Sequence, residues 1–221
     1  MIKKILLVVG LFFLGSSPLM AAPLLTPGTL ADYIALGAGG GQIGDKLFYG
    51  FTYAGSGFGG AVPIPATGIS VIPITDPLNP GLLFNAPWTA GPGQGLDSLI
   101  SFSVLVLSGG AQIGDISATM VGYGIVPNGV VAVAETTTVG NLLLYDDSTL
   151  GVVAHDELSI PPTMGPIIVY KDISVNGNFG LATVSGVINQ FSEVPEPATI
   201  LLLGSGLIGL VGYGRKKFFK K

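Results

Sequence analysis

An antiparallel β-sandwich of jelly-roll type is the fold predicted for residues 23–192, and three observations predict it. Apolar residues recur at every second position in several short runs. Val, Ile, Thr and aromatic side chains dominate those runs, and clusters of Gly, Pro, Asn and Asp separate them. With roughly eight or nine such runs and no long helical period, two packed sheets are the arrangement that buries the apolar faces.

The elements follow in order. Leu30 to Leu36 predicts one short helix, with Thr29 as N-cap and Asp32 completing the capping pattern. Leu47 to Tyr53 predicts the first clear strand, its odd positions apolar or aromatic. Shorter candidates follow at Gly68 to Ile74 and Leu82 to Asn85. Ile100, Phe102, Val104 and Val106 share one face of the next strand, and Ile116 to Tyr123 gives another. Val131 and Val133 open a strand that runs into Thr136, and Asn141 to Tyr145 follows it. Ile167, Val169, Ile173 and Val175 line the penultimate strand, and Leu181 to Phe191 forms the last. Asn79-Pro80-Gly81, Pro127-Asn128-Gly129 and Asn176-Gly177-Asn178 supply the fixed or positive φ that reversals need.

One segment repeats. Gly39-Gly40-Gly41-Gln42-Ile43-Gly44-Asp45 recurs as Gly109-Gly110-Ala111-Gln112-Ile113-Gly114-Asp115, each copy ahead of a strand. Two related half-sandwiches and reuse of one turn motif both account for it.

Charge is segregated. Seven of the nine basic residues lie at the chain ends, leaving Lys46 and Lys171 among 13 acids between Asp32 and Glu196. Two lysines against 13 acids give this region a formal charge of −11. Phosphate backbones need Lys and Arg partners, so nucleic-acid binding is excluded. The chain has no cysteine, so stability rests on packing rather than disulfides.

Residues 1–22 read as a signal peptide: Lys3 and Lys4, the apolar run Ile5 to Leu14, breakers from Gly15 to Pro18, and a cleavage site at Ala21 and Ala22. The run reaches only ~15 Å as a helix, half of a bilayer core. Residues 193–221 form a second special segment. Pro195-Glu196-Pro197 precedes an apolar stretch over 198–214, which reaches ~25 Å as a transmembrane helix, and a basic end over 215–221. Arg215, Lys216 and Lys217 act as the stop that stays cytoplasmic, leaving the preceding domain outside.

In this order and at this position the tail resembles that of the PEP-CTERM proteins of Gram-negative bacteria. The resemblance implies recognition of Pro195, Glu196 and Pro197 by an exosortase-type membrane protease. It also implies passage through the inner membrane to the surface, in species that make exopolysaccharide. Thr29 to Tyr33, Ile43 to Phe48 and Lys171 to Val175 resemble passenger domains of such tails, which carry no assigned activity.

Catalytic signals are sparse. Gly39 to Gly44 spells G-x-G-x-x-G, but a strand rather than a helix follows, so a dinucleotide has no helix N-terminus to meet. His155, the only histidine, stands beside Asp156 and Glu157 in a polar, loop-like stretch and reads as solvated surface. No cofactor is expected. Calcium is the one metal whose chemistry suits acidic loops, with Asp146 and Asp147 as candidate ligands. Trp88 is either a core anchor or, if exposed, a stacking contact for a sugar ring. The expected function is a non-enzymatic surface or matrix protein associated with exopolysaccharide. A secreted carbohydrate-binding module is the alternative, and a glycan-active enzyme using paired carboxylates the third reading.

Overall fold

The computed structural model describes residues 22–194. The chain opens with β1 (Gly28–Thr29), helix α1 (Leu30–Ala35), β2 (Gly41–Ile43), β3 (Lys46–Phe58), β4 (Ser70–Ile74) and β5 (Gly81–Ala90). It continues through β6 (Gly95–Val106), β7 (Ile113–Val121), β8 (Gly124–Ile125), β9 (Val130–Thr137) and β10 (Gly140–Asp147). Last come β11 (Gly151–Val153), β12 (His155–Thr163), β13 (Ile167–Asn176) and β14 (Ala182–Glu193).

These strands form two antiparallel sheets of seven strands each. One runs β1-β4-β5-β14-β7-β12, with β8 against β14, and the other β11-β10-β9-β13-β6-β3-β2. Along the described residues the chain changes sheet from β1 to β2, β3 to β4, β5 to β6, β6 to β7, β8 to β9, β11 to β12, β12 to β13 and β13 to β14. The central partners are therefore distant in sequence, β14 lying between β5 and β7 and β13 between β6 and β9, while β2–β3, β4–β5, β9–β10 and β10–β11 pair locally. The apolar faces of both sheets close on one core.

Alternation places that core. Ile100, Phe102, Val104 and Val106 of β6 are buried, as are Ile167, Val169, Ile173 and Val175 of β13 and Val131 and Val133 of β9. Five phenylalanines join the layers. Phe102 contacts Phe48 at 6.3 Å, Phe51 at 5.4 Å, Phe84 at 5.8 Å and Phe191 at 6.3 Å between ring centroids. Phe84 and Phe191 belong to the first sheet, and the other three to the second. Helix α1 forms as its sequence predicts: Thr29 Oγ1 accepts from Asp32 N, and the Asp32 carboxylate accepts from Thr29 N at 2.8 Å.

Two local expectations need correction. The odd positions of β3 do not hold one face throughout. Lys46 and Phe48 point inward, Gly50 sits at φ 67°, the register shifts between Tyr49 and Thr52, and Phe51 then points inward. A β-bulge inserts one residue and reverses the phase. The stretch from His155 to Glu157 is not a loop; it opens β12, at the edge of the first sheet. Pro161 and Pro162 fit there because an edge strand leaves one row of backbone groups unpaired, and the pairing with β7 is irregular between Ser159 and Thr163.

Asp172 and Asp97 lie diagonally across β13 and β6, given the pairs Asp172–Leu99 and Ser174–Asp97. Burial, and then the negative charge of Asp97, push the Asp172 carboxyl above its ordinary value of 3.8, and its Oδ1 is buried without a partner among the described residues. A raised carboxyl favours the fold below that value and loses the contribution as pH climbs. Asp172→Asn is therefore expected to stabilise the domain at pH 7 by about 0.5 kcal/mol, discounted for partial exposure. The gain should vanish below pH 3.8, as paired thermal melts at the two pH values would register.

Candidate functional site at the root of the tail

The two copies of the repeated segment meet at one end of the sandwich. In the first, Gly44 takes φ 57°, a turn for which glycine suits, and closes the β2–β3 hairpin. In the second, Ile113 and Gly114 already belong to β7. The copies thus adopt different local structures in different sheets. Contact joins them: Asp45 Oδ2 accepts from Ala111 N at 2.6 Å, and Asp45 O accepts from Leu107 N at 2.8 Å.

Lys46 lies at the centre of this contact. It is fully buried, and its ammonium donates to Asp45 Oδ1 at 2.5 Å, Glu193 Oε1 at 2.7 Å and the carbonyl of Ala111 at 3.0 Å. All three N–H donors are used, so the charge is fully compensated. Burial raises the Asp45 carboxyl, but the hydrogen bond from Lys46, the Ala111 N–H and the lysine charge outweigh it, and Asp45 stays below 3.8.

Glu193 is the last residue of β14, and the chain beyond it remains held. Glu193 N donates to Leu78 O at 2.9 Å and Val194 N to Gln112 O at 2.9 Å. A Cβ at Gly114 would lie 2.7 Å from Val194 Cγ2, so the close approach needs glycine. The chain's other end is held alike, since Leu25 N donates to Gln42 O at 3.0 Å and Gln42 N to Pro23 O at 2.8 Å. One glutamine backbone of each copy thus fastens one end of the domain.

A cleft of about 380 Å³ opens beside Lys46, lined by Asp45, Asp76, Glu193 and the Gly109–Ala111 turn. Asp76 is lowered by the N–H groups of Leu78 and Asn79, which its Oδ1 accepts at 2.9 and 3.3 Å. Every carboxylate here already holds hydrogen bonds. The arrangement clasps the end of β14, and Lys46 has no donor left for a substrate.

Residues 193–217 match the model of the PEP-CTERM protein-sorting motif. The chain carries a PEP-CTERM sorting motif. The match begins at Glu193, the residue that Lys46 holds, so the PEP-CTERM segment starts inside the folded domain. Pro195, Glu196, Pro197, the apolar stretch, Arg215, Lys216, Lys217 and Ala21 lie outside the described residues; Ala22 is the first of them. No curated protein matches this chain. Among solved structures it is similar to "Structure of TmCBM61 in complex with beta-1,4-galactotriose", at 11% identity and a TM-score of 0.31, covering 64% of this chain and 88% of that one.

The remaining candidate residues are scattered. Trp88 is fully buried in β5, in one row with Phe84, Ala86 and Ala90, and its Nε1 donates to Ser98 Oγ at 3.0 Å. The sugar-stacking reading is thereby corrected: neither face of the ring meets solvent. Asp146 and Asp147 are neighbours in β10, so their side chains leave opposite faces of the sheet and cannot chelate one ion together. Asp146 points inward and is raised by burial and by Asp147. Asp147 is lowered by the N–H groups of Leu150 and Thr149, which it accepts as a turn cap. Among the described residues, no group of three or more His, Asp or Glu side chains is placed to hold a metal ion. His155 is exposed, with Nδ1 2.8 Å from Thr119 Oγ1 and Nε2 3.9 Å from Glu157.

The site that sequence reading missed is internal. Lys46 and Lys171 are both fully buried, although lysines in amphipathic strands ordinarily face water. A signal existed: Lys171 falls on the same face as Ile167, Val169, Ile173 and Val175, and Glu135 on the face of Val131 and Val133. Opposite charges interrupting two apolar rows mark a matched pair.

Proposed function

We infer that this chain is a non-enzymatic surface or matrix protein, exported, sorted through its tail and retained at the envelope or released among exopolysaccharide. The observation that carries this reading is the PEP-CTERM sorting motif over 193–217, which continues directly from the last strand of a β-sandwich. A PEP-CTERM motif marks a protein for export and envelope sorting, with an exosortase-type protease as partner.

In this reading the chain divides into a signal peptide over 1–22, a domain over 23–192, and a tail whose transmembrane helix holds the membrane before processing. The strand orders β5-β14-β7-β12 and β6-β13-β9-β10, with repeated changes of sheet, support a sandwich of jelly-roll type. The absence of reach from Lys46 to any outside group supports a holding role for the cleft rather than a catalytic one.

Terminal peptide mapping of the protein from its own host, with the cell fraction recorded, tests the proposal. The expected mature form starts near Ala22, ends close to Pro195 and occurs outside the inner membrane. A form that still carries Arg215 to Lys221 and stays in the membrane fraction would overturn processing and release.

A further inference from the structure

The second buried lysine stands in a different situation from the first. Lys171 of β13 and Glu135 of β9 face each other as register partners, with Nζ 2.5 Å from Glu135 Oε2. The other oxygen of that carboxylate accepts from Asn189 Nδ2 at 2.8 Å. Asn189 belongs to β14, in the opposite sheet. Lys171 and Asn189 are each 0% exposed and Glu135 is 1% exposed. One carboxylate therefore holds an amine from one sheet and an amide from the other, inside the buried core.

Two features mark this trio as unfinished. Lys171 Nζ has one acceptor among the described residues, whereas the Lys46 ammonium has three. An ammonium presents three donors, and leaving two of them buried and unmet is costly. The carbonyl oxygen of Asn189, Oδ1, is also buried with no partner among the described residues. A charged pair buried with so few hydrogen bonds is costly to keep.

We propose that Lys171 and Asn189 join in an intramolecular amide bond, with Glu135 as the proton carrier. Glu135 takes a proton from Lys171, leaving the amine free as a nucleophile. A half-turn of the Asn189 amide brings Oδ1 to the Glu135 acid, whose O–H then polarises Cγ. Lys171 Nζ attacks Cγ and the Nζ–Cγ bond forms. Through Glu135 the second amine proton reaches Nδ2, the Cγ–Nδ2 bond breaks, and ammonia leaves. Glu135 remains as the neutral acid and donates to the carbonyl oxygen of the new amide.

No oxidant, metal or cofactor enters the balance. The product removes the under-satisfied ammonium and gives the orphaned oxygen a donor. It also ties β13 to β14 across the core, in an exported chain that has no cysteine with which to make such a tie. Asn189 is four residues from Glu193, so the staple would lie just inside the strand from which the sorting tail departs.

The test is mass spectrometry of the full-length chain as purified, denatured and then digested with trypsin. The expected result is a loss of about 17 Da, one ammonia, from the region spanning Lys171 and Asn189. Trypsin should also fail to cut after Lys171, because an acylated lysine is not its substrate. The variants Asn189→Ala and Glu135→Gln should each restore cleavage after Lys171. Normal cleavage of the unaltered chain with no lost mass would overturn the proposal, whether or not those variants fold. A gain of about 1 Da at Asn189, its hydrolysis to aspartate, would overturn it equally.

Discussion

Replacing Lys46 by Met is expected to destabilise the domain at pH 7 by about 3 kcal/mol, the lower end of the range for breaking a buried ion pair. The lower end applies because Asp45 and Glu193 keep 28% and 15% of their side-chain surface exposed. Met fills most of the lysine's volume, so packing changes little. What is lost is the cation that both carboxylates and the Ala111 carbonyl face. Urea unfolding of the exported domain would measure the difference as a lower midpoint at unchanged slope.

The effect has a pH signature of fixed sign. Asp45 is lowered in the folded state from its ordinary 3.8, so it supports the fold above that value and less as pH falls through the lowered one. Without Lys46 the lowering has lost its main favourable partner. The stability gap between the native chain and Lys46→Met should therefore narrow on acidification below 3.8. A gap of constant size from pH 7 to pH 3 would show that Lys46 acts by packing alone.

Phe102→Ala is the second large effect, at about 4 kcal/mol. Phe102 is 1% exposed and is the one ring that contacts Phe48, Phe51, Phe84 and Phe191 together. Its removal leaves a cavity between the sheets that four rings from both sides border and that a rigid core refills poorly. Against a total stability of roughly 5–15 kcal/mol, that loss is a large share. Phe102→Leu, which keeps most of the volume, should cost less than half as much by the same measurement.

The sequence was most legible where alternation is uninterrupted and neighbours are local. β6 and β13 show their buried faces in every second residue, and Thr29 and Asp32 are only three positions apart, so the helix start could be read directly. Legibility failed at β3, because the aromatic alternation on either side of Gly50 reads as unbroken, and the lone glycine was the one residue that marked the bulge and its change of phase. It failed at β12, because His155, Asp156, Pro161 and Pro162 suit an edge strand and a loop equally.

The internal polar sites were hidden for another reason. Lys171 and Glu135 are 36 positions apart, and Lys46 and Glu193 are 147 apart. Strand register brings the first pair together, and the packing of one sheet on the other brings the second. The sorting motif is the opposite case: its three parts are contiguous, and sequence alone located it.

The placement of β14 has a mechanical consequence. β14 is hydrogen-bonded along its length to β5 on one side and β7 on the other, and the tail continues from its C-terminal end. Tension drawn through the tail runs along the strand, while its ladder bonds lie across it. Such a load shears two ladders at once instead of peeling one bond at a time. A domain hung from this strand resists extraction as a whole unit, because both ladders must give way together.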